Sequence, residues 1–263
     1  MRLKTPRNAF LCLITLSLSP IFVGSSDEIS VYHAKGDQLY KSFDNLGALA
    51  EYRRAYELAP RNYETLIRMA RIHNDIGRSM LRRNDSAQTW YVTAVEYAQR
   101  LVDLYPDRSE PYFWLAVTKG SLVPFKGVSE KLEIGKDVTR LARKSIELDP
   151  AFGPAYMILG IIYREADRLK WYENLIANTI FGGPLPGTIE ESESMLLKSI
   201  KLDPQNIFTY FELSRTYGQM GNIEKRRECL EKILALTPRS LREKEEQHRA
   251  QRQLERLLTP PRQ

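Results

Sequence analysis

The chain has 263 residues, 43% hydrophobic and 27% charged, with a formal net charge of +6. This composition excludes long disorder and supplies core for one or two globular domains. Cysteine is nearly absent (Cys12 and Cys229), which excludes a disulfide framework.

The first 26 residues read as a separate object. Arg2, Lys4 and Arg7 form a basic start, Ala9 to Gly24 is apolar with Pro20 near its end, and Gly24, Ser25 and Ser26 are small. This is the layout of a secretory signal peptide, with cleavage expected near Ser25 or Ser26. The alternative is a retained anchor, but the apolar run is short for a span of ~20 residues and contains proline. Cys12 has no lipobox before it. Removal of Arg2, Lys4 and Arg7 would lower the net charge from +6 to +3. The basic balance is therefore weak support for a nucleic-acid partner, and none is expected. It leaves room for contact with a membrane surface. No transmembrane helix is expected in the mature chain. The expected location is outside the cytoplasm, in a periplasm.

From residue 29 onward a helix-ending signal returns five times, as Glu57-Leu58-Ala59-Pro60, Asp103-Leu104-Tyr105-Pro106, Glu147-Leu148-Asp149-Pro150, Lys201-Leu202-Asp203-Pro204 and Ala235-Leu236-Thr237-Pro238. Leucine closes the apolar face of one helix. Proline cannot continue that helix and pushes the preceding residue out of helical geometry. Spacings of 46, 44, 54 and 34 residues between the prolines mark a repeat architecture.

The units fall at about 29–62, 63–108, 109–152, 153–206 and 207–240. Tyr156-x-x-Leu159-Gly160-x-x-Tyr163 is the fullest match to the first helix of a tetratricopeptide repeat (TPR). Leu66-x-x-Met69-Ala70-x-x-His73 and Tyr112-x-x-Leu115-Ala116-x-x-Lys119 are looser versions. Glycine or alanine at the helix crossing lets two backbones approach, and Ala48 and Ala94 supply the small partner on second helices. Arg226 departs from that rule and predicts looser packing in the last unit. The three middle units are long, with the extra residues near 77–88, 120–132 and 165–187. The last insert reads as a lengthened helix to Gly182-Gly183, then a Pro-Leu-Pro turn. Ser240-x-x-Glu243 reads as a capping box opening a charged helix from Leu241 to about Leu258. That helix and the tail to 263 would form the polar cap a solenoid needs. The expected fold is therefore an all-α, TPR-like α-solenoid of helix-turn-helix repeats, with extended middle repeats and a C-terminal capping helix.

No catalytic constellation emerges. Gly127-Val128-Ser129-Glu130-Lys131 lacks the second glycine of a nucleophile elbow, and Gly135-Lys136-Asp137 lacks most of a phosphate loop. His33, His73 and His248 have no metal-ligand spacing, and His73 falls at a helix-packing position. No enzyme, cofactor or metal is expected.

In a TPR solenoid the first helices line the concave face, through the second, fifth, ninth and twelfth positions of each unit. The candidate groove residues are Ile67, Arg71, Phe113, Val117, Met157, Ile161, Phe208, Phe211 and Arg215. Its middle is apolar, which points to a ligand or partner. Two arrangements stay open: the inserts fold over the groove and make it core, or they roof a pocket.

Tyr156-Met157-Ile158-Leu159-Gly160, Trp171-Tyr172-Glu173, Phe181-Gly182-Gly183-Pro184-Leu185-Pro186-Gly187 and the following Glu190/Glu191 helix resemble the TPR domain of the regulator of microtubule dynamics family and its bacterial relatives. The resemblance covers residues 63–238. It implies a concave side that accepts lipid or a partner segment. The signal peptide argues against a microtubule role here. A looser resemblance is to the exported TPR component of some bacterial solute transporters, which implies hydrophobic ligands. The expected function is an exported scaffold holding a partner protein segment in the groove, with Arg71 and Arg215 pairing acidic groups. The alternative is a carrier of a fatty acid or phospholipid in the same groove.

Overall fold

The computed structural model describes residues 26–81, 86–169 and 187–259. The signal-peptide segment, the Trp171-Tyr172-Glu173 and Gly182-Gly183 motifs, the Pro-Leu-Pro turn and the last four residues lie outside them. Among the described residues there are eleven α-helices, one 3-10 turn and no strand. The helices are α1 (Ser26–Lys41), α2 (Asn45–Leu58), α3 (Tyr63–Met80), α4 (Ser86–Leu104), α5 (Ser109–Ser121), α6 (Val128–Leu148), α7 (Gly153–Asp167), α8 (Ile189–Leu202), α9 (Ile207–Gln219), α10 (Ile223–Ala235) and α11 (Leu241–Leu258).

The helix boundaries follow local chemistry. The second helices of the first four units end on the leucine two residues before proline: Leu58, Leu104, Leu148 and Leu202. Several helix starts are capped by short polar side chains. Asp44 accepts from Gly47 N at 2.9 Å, Asn62 from Thr65 N at 3.0 Å, and Asn222 from Lys225 N at 3.0 Å. Each satisfies a backbone donor that the first helical turn leaves without a partner. Thr188 and Glu191 form a full capping box on α8, with bonds of 2.9 and 3.2 Å. On α11 only half of the expected box forms. Ser240 accepts from Glu243 N at 3.2 Å, while the Glu243 carboxylate takes the backbone N–H of Arg239, one residue too early.

Helices pair within units as α1–α2, α3–α4, α5–α6, α7–α8 and α9–α10, and successive units stack. The first helices α3, α5, α7 and α9 run side by side and form the inner wall. Small residues permit the crossings. A Cβ on Gly160 would lie 2.6 Å from Leu196 of α8, and one on Gly36 would lie 2.3 Å from the Tyr52 ring of α2. In the last unit Arg226 does not pry the pair apart. Its guanidinium lies over Gly218 of α9, where a Cβ would sit 3.4 Å away, and reaches Gln253 of α11 at 3.0 Å.

Among the described residues, part of the extra length of the second and third units goes into helix. It lengthens α3 to Met80, and between α5 and α6 it makes a 3-10 turn over Val123–Phe125 and a 21-residue α6. The core is a chain of linked clusters. The largest runs from Ala70 through Leu141, Met157 and Leu196 to Cys229. A second binds α9 and α10 to Ala250 and Leu254 of α11.

Candidate functional site

The nine residues expected on the concave face fall into three environments. Ile67, Met157 and Phe211 are buried. Phe113, Val117, Ile161 and Phe208 are half-buried and pack against the main core. Phe113 meets Trp114 at 5.2 Å and Phe152 at 5.4 Å, both edge-on. Arg71 and Arg215 keep solvent contact, with side chains 27% and 42% exposed. Arg215 pairs with Glu212 at 3.1 Å and Glu165 at 3.4 Å. The neighbouring Arg164 is fully buried and ties α7 to α9 through Glu212, at 2.7 Å to the carboxylate and 3.0 Å to the backbone carbonyl. Phe211 owes its burial to α9, α10 and α11, since it shares a cluster with Leu230, Ala250 and Leu254.

Near its N-terminal end the inner wall opens into a cleft of about 460 Å³. Ile67 lies in its wall, and Asp37, Glu64, Arg68, Arg71, Glu110 and Glu243 bring charges of both signs into it. Asp37 is the hub. It accepts from Tyr52 Oη at 2.7 Å and from Arg68 at 2.8 and 3.1 Å. Burial raises its pKa, but the hydrogen bonds from Arg68 and Tyr52 and the charges of Arg68 and Arg71 outweigh it and hold the carboxyl below its ordinary range. Burial pulls Arg71 down, yet the nearby Tyr40, Tyr52, Asp75 and Asp37 leave it raised and firmly charged. Its guanidinium stacks 4.4 Å from the Tyr40 ring, and its Nε makes no hydrogen bond within the protein.

Sequence reasoning missed the residues that join α11 to the far end of the solenoid. Arg78 of α3 pairs with Glu246, and Arg242 approaches Asp75 at 3.9 Å. Tyr40 donates to Asp75 at 2.7 Å. Arg242 also lies 4.3 Å from the Phe208 ring, a groove residue, and Lys244 lies 5.0 Å from the Phe43 ring. Thus α11 is more than the polar cap its composition suggests. Its apolar stripe caps α9 and α10, and its charged stripe reaches across to α1 and α3. The only signal in the sequence is the spacing of Arg242, Glu246 and Arg249 along one helix face.

His73 is buried, its Nδ1 2.7 Å from Met69 O and its ring against Trp90 and Tyr97. It has the core role its position suggests. Burial pushes the Cys229 thiol up to about 12. Among the described residues no group of His, Cys, Asp and Glu could hold a metal ion, and no helix is long and apolar enough to cross a membrane.

The family model described as Regulator of microtubule dynamics protein 1-3 matches residues 32–258. The chain belongs to this family. It is 24% identical over 204 residues to regulator of microtubule dynamics protein 1 of Mus musculus, covering 74% of this chain and 67% of that one. It is 24% identical over 166 residues to regulator of microtubule dynamics protein 3 of Rattus norvegicus, covering 63% of this chain and 35% of that one. The chain therefore spans from about a third to two thirds of the length of these two relatives. Among solved structures it is similar to TTC0263, a thermophilic TPR protein of Thermus thermophilus. That match has a TM-score of 0.63 at 17% identity and covers 85% of this chain and 98% of that one. The likeness shows the fold: this family member is a TPR-like α-solenoid.

Proposed function

We propose that this chain is an exported scaffold that holds a segment of a partner protein along its concave face and catalyses nothing. The observation that carries the reading is the character of the open part of that face. The cleft beside Ile67 and Arg71 presents charges of both signs, drawn from α1, α3, α5 and the start of α11. A polypeptide brings donors, acceptors and side-chain charges that such walls can pair. An acyl chain would strip water from these charged pairs and offer no polar group in exchange. Farther along, half-buried Phe113, Val117, Ile161 and Phe208 offer apolar footing to alternate side chains of the same segment. The export part of the reading rests on the basic and then apolar order of residues 2–24. The regulator relatives are consistent with a non-catalytic role.

Native mass spectrometry of the chain, purified without detergent from its own cells, tests this. The expected species carries an added protein or peptide mass that exchanges on addition of high salt. An added mass extractable into organic solvent as lipid would favour the hydrophobic-ligand carrier instead.

A further inference from the structure

The two ends of the solenoid are held together by a polar clasp. Glu246 is 2% exposed and receives Arg78 from α3, 168 positions earlier in the chain, as well as Arg249 from its own helix at 3.2 Å. Asp75, 6% exposed, receives Tyr40 and Arg242. The apolar residues of α11, Ala250 and Leu254, face α9 and α10. The clasp is also incompletely bonded, for Nε of Arg71, Arg78 and Arg242 finds no partner within the protein. Buried ion pairs with unpaired donors recover little of their desolvation cost.

Phe43 adds an independent observation. It has φ of 69°, in the left-handed region, and closes α1 with a bond from Asp44 N to Leu39 O at 2.9 Å. In the last unit Gly221 does the same task at φ of 73°, with Asn222 N bonded to Tyr217 O at 2.9 Å. Glycine is the unstrained choice at such a helix end. The N-terminal unit keeps a phenylalanine there, and its ring meets Lys244 of α11. The strain is held where the two ends of the molecule touch.

We propose that this clasp gates the concave face. Closed, it fixes the start of α11 across the inner wall, with Arg242 over the groove residue Phe208. Opened, it releases α1 and α3 from α11 while the apolar contacts keep α11 on α9 and α10. A partner segment bearing acidic side chains would compete for the part-exposed Arg78 and Arg242 and so admit itself. This inference rests on the reading of the concave face as the binding surface.

The test needs no partner, so its failure is separable from failure of that reading, which the native masses address. In the full chain with Cys12→Ser and Cys229→Ser, a single cysteine is introduced by Val117→Cys on the inner wall or by Glu147→Cys on α6, and maleimide labelling is timed. Arg78→Glu is expected to speed labelling at 117 by about tenfold, the equivalent of ~1.4 kcal/mol, and to leave 147 unchanged. Adding Glu246→Arg should restore the slow rate. Lys244→Glu, an exposed change that spares the fold, should speed labelling at 117 by a smaller factor and serves if Arg78→Glu loses helical content. An unchanged rate at 117 in the folded variants overturns the gate, as does a fast rate that the charge swap fails to reverse.

Discussion

His73 and Arg164 illustrate how single residues serve this fold. Both occupy first-helix positions that a sequence scan can flag as functional, and both are buried in packing roles. The histidine has a consequence for pH. Burial lowers its pKa below 6.5, with Arg53 adding to the shift and the Met69 carbonyl opposing it. Burial and Arg68 likewise lower His33, against Asp37 and Glu64. Each histidine therefore takes up a proton more readily in the unfolded chain. Its stabilising effect is complete above pH 6.5 and is lost as pH falls below it. Urea midpoints at about pH 7.5 and about pH 5.5, either side of that ordinary value, should show a clear drop, and His73→Gln should flatten it. Equal midpoints for the parent chain would show that the ring is solvated.

At the scale of elements, the recurrent Leu-x-Pro signal located the ends of the second helices, because it encodes both the last apolar contact and the stop. The span of α11 was equally legible, from Leu241 to Leu258. The details of its cap were not. Glu243 has a choice of backbone donors, and it takes the N–H of Arg239 rather than that of Ser240. Ser240 alone is left to satisfy the first turn, and it is buried. Ser240→Ala should cost about 1 kcal/mol. Hydrogen exchange should show the loss as faster exchange confined to the first turn of α11. A uniform change along all helices would instead indicate a global role for this hydroxyl.

At the scale of the whole molecule, the solenoid and its pairing of helices were readable, because each unit repeats the same small-residue crossings and apolar spacing. The candidate inner-wall positions come from the same periodicity. What periodicity could not reveal is which inner-wall residues stay open. Burial of Phe211 depends on α11, and the Arg78–Glu246 contact depends on the summed curvature of all intervening units. Such contacts leave no local pattern, since their register is set by accumulated small rotations between repeats. The result is a face that is charged and open near Asp37 and Arg71 and apolar and half-covered toward Phe208. The measurement that tests the concave face most directly is photocrosslinking in its native cells. A photoreactive residue is placed at Val117 on the inner wall in one chain and at exposed Glu147 on α6 in another. A discrete protein adduct from position 117, absent from position 147, is the predicted result. Adducts from 147 alone, or from neither position, would contradict partner binding in the concave face.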